Sequence, residues 1–255
     1  MSNSQYEKTT KNGVVRYRGR GKYDFETVHS IIDEAPILHV SFTPLDDDFP
    51  AILPMFGCMG LFPSDDTNSV GRTSSLYLHG YAASRMFRTS RGEDAGLKIT
   101  VAATILDGIV LALTPNHHSA NYRSAVVFGH AYLVTDEAER WWAMKHVTNS
   151  IVPERWENTR IPPTDAEAKA TGIIRVEIET GSAKIRTGTT GEDRNDLKDE
   201  GLRKRVWAGV LPMWTRYGQP TPAPTNMTDK TPEYISRFVD DSNKQQEDYA
   251  MKVAL

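Results

Sequence analysis

The sequence predicts a mainly β domain flanked by helices, an α+β arrangement built around a barrel candidate of about six strands. Three observations carry that expectation. Short apolar or alternating runs recur between turn signals from residue 37 to about residue 135. Helical periodicity is confined to the two sides of that block. The composition, 39% hydrophobic and 25% charged, is that of a globular chain able to bury its own core. At 255 residues this points to one large domain with appendages.

In chain order, residues 24–35 read as the first helix. Phe25, Val28, Ile32 and Ala35 recur at helical spacing behind Asp24, whose carboxylate suits free N–H groups, and Pro36 closes the element. The expected strands are 37–42, 51–56, 75–79, 98–106, 109–113 and 124–134. Asp107-Gly108 divides two of these runs and predicts a tight hairpin, because both residues tolerate positive φ. Residues 57–73 and 114–123 are the longer connections, where a small barrel usually holds ligands. A second helix begins after Asp136, with Trp141, Met144, Val147 and Ile151 on one face, read as packing. Thr164 to Glu167 is a capping box for a third helix. Ile174, Val176 and Ile178 alternate as a last strand, and 219–231, with Pro220, Pro222 and Pro224, reads as an extended linker before a peripheral helix over 232–243. The resulting division is an N-terminal arm over 1–16, a core domain over 17–218 and a C-terminal arm over 219–255.

Charge and cysteine usage exclude several classes. A net charge of −3 supplies no broad attraction to nucleic acid or acidic membrane, so any anion site is local. The single cysteine, Cys58, allows no internal disulfide and no multi-cysteine zinc site, and reads as a small apolar core residue. Residues 1–11 lack a signal-peptide apolar stretch, and no run of about 18 apolar residues occurs. A cytoplasmic protein is expected.

Three constellations carry possible chemistry. In Leu76-Tyr77-Leu78-His79-Gly80, strand alternation puts Tyr77 and His79 on one face; Gly80 permits a sharp turn, and Ser84-Arg85 beyond it suits a phosphate. The second, His117-His118-Ser119-Ala120-Asn121-Tyr122-Arg123-Ser124, is dense in hydrogen-bonding groups at a strand entrance. There Arg123 and Ser124 suit a phosphate or ribityl chain, and Tyr122 a ring. Its paired histidines point opposite ways on an extended chain, and no metal is expected. In the third, Ser182-Ala183-Lys184-Ile185-Arg186-Thr187-Gly188, Lys184 and Arg186 share one side, as an anion site or as a solvated strand edge. Trp207, among small residues and proline, could wall a ring system or fill a dimer seam. No GxGxxG, GxxxxGK[ST] or GxSxG pattern is present, and Asp46-Asp47-Asp48 reads as a hairpin loop.

Together with Ala35-Pro36-Ile37-Leu38-His39-Val40-Ser41-Phe42, Ile52-Leu53-Pro54-Met55, Asp107-Gly108-Ile109-Val110-Leu111-Ala112 and Val206-Trp207-Ala208-Gly209-Val210, these segments resemble the flavin-nucleotide-binding proteins related to pyridoxamine 5′-phosphate oxidase, including the Nim-type nitroimidazole-resistance proteins. The resemblance spans residues 17–219. It implies a six-stranded antiparallel Greek-key split β-barrel that pairs with a twin, with FMN in two clefts at the homodimer interface. By the same resemblance Ser84 and Arg85 hold the phosphate, helped by Arg123 and Ser124; the isoalloxazine lies along Pro54, Met55 and Phe56, with His79 and Trp207 near the ring. Two departures stand out. Met86 follows Arg85 where the oxidases have a lysine, and their C-terminal substrate-phosphate motif has no counterpart, so vitamin B6 oxidation is not implied.

The function expected is an FMN-dependent oxidoreductase acting on a small planar organic molecule, with His79 the candidate catalytic residue. The alternatives are a flavin- or haem-binding carrier or sensor, with His79 or His118 as axial ligand, and a structural dimer with an empty cleft. No nucleic-acid or membrane partner is expected.

Overall fold

The computed structural model describes residues 4–63, 74–91 and 95–255. Its elements in chain order are β1 (Gly21–Lys22), α1 (Phe25–Glu34), β2 (Leu38–Phe42), β3 (Ala51–Met55), β4 (Gly57–Gly60), β5 (Ser75–Tyr81), α2 (Arg85–Arg91), β6 (Leu97–Leu111), β7 (Ser119–Leu133), α3 (Glu137–Ile151), α4 (Asp165–Ala170), β8 (Thr171–Arg186), α5 (Arg194–Lys198), α6 (Glu200–Arg205), β9 (Gly209–Pro212) and α7 (Glu233–Val253). The described strands form one sheet in the order β3-β2-β6-β7-β8-β5-β4, with β1 added to β8 and β9 to β6. The path runs from β3 to β4 without closing on itself, and the pairings of β2 with β3 and β6, of β5 with β4 and β8, and of β6 with β9 are antiparallel. This is the mainly antiparallel, open sheet with flanking helices that a split barrel requires. None of the described helices is long and apolar enough to cross a membrane.

Two compact units are distinguished: Met1–Thr104 with Ser124–Ala183, and Ile105–Arg123 with Lys184–Leu255. In the first unit, α1 forms because Asp24 accepts a hydrogen bond from the Thr27 amide at 2.8 Å, leaving Val28, Ile31 and Ile32 to face the core. Strand β2 alternates, burying Leu38, Val40 and Phe42. Strand β5 is buried on both faces at Leu76, Tyr77 and Leu78. Its Tyr77 side packs with Cys58, Ile173, Ala143, Met144 and Val147, which joins the sheet to α3. Asp136 caps α3 through the Glu139 amide at 2.7 Å, and Thr164 with Glu167 completes the capping box of α4. The expected stripe on α3 is therefore real packing at Met144 and Val147. Cys58 lies in this core, and burial pushes its thiol up to about 12, which keeps it protonated and inert.

The segment from residue 57 contains β4, where the sequence predicts only a connection; residues 64–73 of that connection fall outside the described residues.

In the second unit the structure corrects the sequence reading at Asp107-Gly108. No hairpin forms: β6 runs unbroken from Leu97 to Leu111. Asp107 is buried and satisfied by Arg123, and Gly108 serves close approach rather than a turn, since a Cβ there would lie 3.0 Å from the Leu211 carbonyl oxygen of β9. The C-terminal helix is also longer than expected, reaching Val253 rather than residue 243. Its last carbonyls find distant donors: Val253 O accepts from the Gly188 amide at 2.7 Å and from Asn121 Nδ2 at 3.1 Å.

Candidate functional site

In the first unit, β3 ends the sheet path and presents Ile52 and Pro54 to solvent, with Phe56 exposed just beyond it, while Met55 is buried. Proline is tolerated there because an edge strand has no neighbour demanding its missing N–H. Met55 packs toward Gly80 of β5: a Cβ on Gly80 would lie 3.5 Å from Met55 Cε and 3.0 Å from Phe87 Cε2. Gly80 pairs with Gly172 of β8, and a Cβ on Gly172 would lie 2.4 Å from Phe87 Cδ1. Two facing glycines thus make the room that the Phe87 ring fills.

His79 alternates with Gly80 along β5, so it projects from the other face of the strand, with Tyr77 and toward α3. The family resemblance implies that Pro54, Met55, Phe56 and His79 surround one ring. The structure brings Met55 to Gly80 and turns His79 away from it. His79 instead lines a cavity of about 240 Å³ whose walls include Met144, Thr148, Trp156, Glu167 and Thr171. Its Nδ1 is buried and has no hydrogen-bond partner among the described residues. Desolvation lowers the imidazole pKa, so the ring is neutral at neutral pH. Beside it, Tyr77 donates to Glu139 Oε1 at 2.7 Å, and Arg175 Nη1 donates to both Glu139 oxygens at 2.9 Å, which satisfies a buried phenol and a buried carboxylate together.

Ser84 and Arg85 lie where β5 turns into α2. The Ser84 amide donates to Tyr81 O at 2.9 Å, and Ser84 O accepts the first helical bond from Arg88 at 3.0 Å. Arg85 donates to Asp46 Oδ1 from Nε at 3.0 Å and from Nη2 at 2.7 Å, and to Asp47 Oδ2 from Nη2 at 3.1 Å. Both carboxyls are held below their usual range, Asp46 chiefly by its bond from Arg85 and Asp47 chiefly by the Phe49 amide and then Arg85. These groups are solvated, and such pairs are easily exchanged. Met86, in the position where the oxidases carry lysine, is fully buried.

In the second unit, Arg123 donates to Asp107 from Nε at 3.1 Å and from Nη2 at 2.8 Å, and its guanidinium lies 4.0 Å over the Tyr249 ring. Arg186 donates to Asn121 Oδ1, to Gly188 O at 3.2 Å and to Thr189 O at 3.0 Å. Both arginines are buried and directed at groups of their own unit. Tyr122 and Lys184 are half-buried, as is Ser124 in the first unit. Trp207 is mostly exposed, and its indole folds over Gly209, where a Cβ would lie 2.9 Å from Cη2. His118 Nδ1 accepts the Ala112 amide at 2.9 Å, so its neutral ring carries the proton on Nε2. His117 lies near Asp193, with Nε2 3.8 Å from Oδ2.

Sequence reasoning missed Asp107, Glu139, Trp156 and Tyr249. Asp107 and Glu139 carry local signals, of a turn and of a helix cap, that do not reveal their long-range bonds; Trp156 and Tyr249 give no local signal, because their partners stand far away along the chain.

Comparison with known proteins gives three findings. The family model described as pyridoxamine 5′-phosphate oxidase matches residues 24–185. The flavocytochrome Anf3 from Azotobacter vinelandii is 29% identical, with a TM-score of 0.73 over 90% of this chain and 97% of that one. The FAD and heme binding protein from Mycobacterium smegmatis is 25% identical, with a TM-score of 0.70 over 86% of this chain and 97% of that one. No curated protein gives a sequence match. A family match over more than half the chain, on an open antiparallel sheet of the expected kind, means that this chain belongs to the pyridoxamine 5′-phosphate oxidase family.

Proposed function

We propose that the protein is a cytosolic homodimer that binds a phosphate-bearing flavin, FMN in its minimal form, and acts as an oxidoreductase on a small planar organic molecule. Family membership and the flavin named for the Mycobacterium smegmatis relative support the cofactor class. The observation in this chain that carries the reading is Arg85, held at the start of α2 by exchangeable bonds to the 46–47 connection that leads into β3. A cation able to take a phosphate thus stands at the connection into the strand whose exposed Pro54, with exposed Phe56 just beyond its end, suits a ring face. Ser84 adds a hydroxyl, and a second copy of the chain would cover the apolar edge of Ile52, Pro54 and Phe56. When bound, a flavin supplies electron or hydride transfer; the residues bind and orient it and keep water from its face.

The purified protein is expected to be yellow. Arg85→Ala should weaken FMN binding by about ten- to a hundredfold, corresponding to roughly 1.5–3 kcal/mol for a charge-assisted bond, and leave riboflavin binding unchanged. A colourless protein that takes up neither FMN nor FAD at micromolar concentration would refute the reading.

A second reading, binding of haem as well, is favoured by His79. Both similar proteins, as a flavocytochrome and an FAD and heme binding protein, point to that group. A neutral imidazole with a buried nitrogen lacking any described partner suits an axial ligand. The cavity is smaller than the roughly 300–1,000 Å³ of ligand pockets, so it would house only an edge of a porphyrin. Haem titration should give a Soret shift that His79→Ala removes and His118→Ala keeps, because His118 already spends Nδ1 on Ala112. Loss of the shift in His118→Ala alone would exclude His79 as the ligand.

A further inference from the structure

Apart from Arg85, the densest cationic feature of the first unit is the segment 16–22. Arg16, Arg18, Arg20 and Lys22 fall within seven residues of a chain whose net charge is −3. Lys22 acts on the neighbouring carboxylate of Asp24, but Arg16, Arg18 and Arg20 form no ion pair with any described residue. Guanidinium groups without ion pairs, concentrated in one loop, give a local positive charge that the overall charge does not announce.

The loop is built, not loose. On its N-terminal side, buried Asn12 donates from Nδ2 to Thr180 Oγ1 at 2.7 Å, to Gly181 O at 2.9 Å and to Glu7 O at 2.9 Å. The Val14 amide donates to the Tyr23 hydroxyl at 3.0 Å, closing the loop at its base. The Arg20 amide donates to Tyr17 O at 2.9 Å, the Gly21 amide donates to Arg18 O, and β1 then joins β8. Tyr17 itself sits at φ 57° and ψ 56°, a left-handed conformation that bulky residues seldom adopt and that concentrates at ligand-binding positions. Tyr17 is 55% exposed, and its ring carries the Arg20 guanidinium 4.3 Å and the Arg16 guanidinium 5.1 Å from its centroid. Contact with an aromatic ring orients a guanidinium without neutralising it, so the planar donors stay available.

We infer that this loop, with Arg16 and Arg20 on the Tyr17 ring and Arg18 next to it in the chain, binds the diphosphate and base of a nucleotide. Vicinal phosphates match several forked donors, and planar tyrosine and guanidinium surfaces accept a base by stacking. Size selects a small ligand over a polymer. Even fully extended, residues 16 to 20 would span only about 14 Å, whereas strand-binding grooves track roughly 4–16 nucleotides and the remainder of this chain repels a polyanion. Binding of ADP by this loop does not require the flavin reading. The same chemistry could come from a free nucleotide, from a reduced nicotinamide dinucleotide serving as electron donor, or from the adenylate half of a dinucleotide flavin, and only the last of these three sources rests on that reading.

The test is calorimetric titration of the full chain with ADP at low and moderate salt, beside pyrophosphate and adenosine. ADP should bind more tightly than either fragment, and Arg18→Gln with Arg20→Gln should weaken it at least tenfold. Tyr17→Asn, chosen because asparagine tolerates the left-handed backbone, should weaken ADP severalfold while leaving pyrophosphate unchanged; circular dichroism and melting verify that each variant is folded. Selective loss of NADPH binding in these variants assigns the site to the donor, and selective loss of FAD relative to FMN assigns it to the flavin. Absence of ADP binding, equal binding of ADP and pyrophosphate insensitive to Tyr17→Asn, or tighter binding of a decathymidylate or of phosphatidylserine vesicles would each overturn the proposal.

Discussion

Arg85 in the first unit and Arg123 in the second both make forked contacts with aspartate, and both are sequence candidates for a phosphate, yet their surroundings give them opposite capacities. The Arg123 side chain is 10% exposed and that of Asp107 4%, with Tyr249 stacked above. Arg85 is 37% exposed, and Asp46 opposite it is 72% exposed. A buried pair cannot release its cation without stranding a charge, so it acts as a structural tie. A solvated pair gives up little when the cation turns to another anion. Motif and residue type alone do not distinguish these cases; burial does.

The contrast is tested most severely at the buried pair. Arg123→Ala should lower unfolding free energy by about 3–5 kcal/mol, since Asp107 is left buried and uncompensated. Arg123→Ala combined with Asp107→Ala should recover part of that loss. Denaturant titration reads both, and a loss below about 1 kcal/mol for the single variant would mean that the tie is not formed in solution. Arg85→Ala, by contrast, should leave stability within about 0.5 kcal/mol while weakening phosphate-bearing flavins.

How far the sequence revealed the molecule follows from the range over which each signal acts. Helix starts at Asp24, Asp136 and Thr164 were legible because a cap and its periodic apolar residues lie within a few positions. The capped helices and most strands were therefore anticipated. Asp107-Gly108 misled for the same reason: its turn preference is local, whereas the Arg123 and β9 contacts that keep the strand straight are not. β4 was hidden because Gly57, Cys58, Met59 and Gly60 show little strand propensity, and its identity comes from pairing with β5. The full length of α7 depends on Asn121 and Gly188, far upstream. At the site, alternation correctly put Tyr77 and His79 together, but it could not say which face of β5 looks toward Met55. Nor could spacing show that Asp46 and Asp47 hold Arg85 or that Trp156 helps close the His79 cavity.

The smallest expected effect sharpens the comparison at its solvated end. If Asp46 and Asp47 compete with a cofactor phosphate for Arg85, Asp46→Asn with Asp47→Asn should tighten FMN by about two- to fivefold, the worth of an exposed ion pair, with no gain for riboflavin. Both carboxyls have lowered pKa values in the fold, so whatever stability their bonds contribute is fully present above the ordinary carboxylate range and is lost only as pH falls through those lowered values. The ratio of FMN affinities between the double variant and the parent should therefore stay constant from about pH 7 to pH 5, because the phosphate's own second ionisation near pH 6 is common to both. A ratio that falls to one across that interval would show that the aspartates titrate above the ordinary carboxylate range, and that Arg85 does not hold them when the cofactor site is empty. The same titration on the Arg123 pair should show no gain in FMN affinity at any pH, since a cation tied to Asp107 in the interior has nothing to exchange.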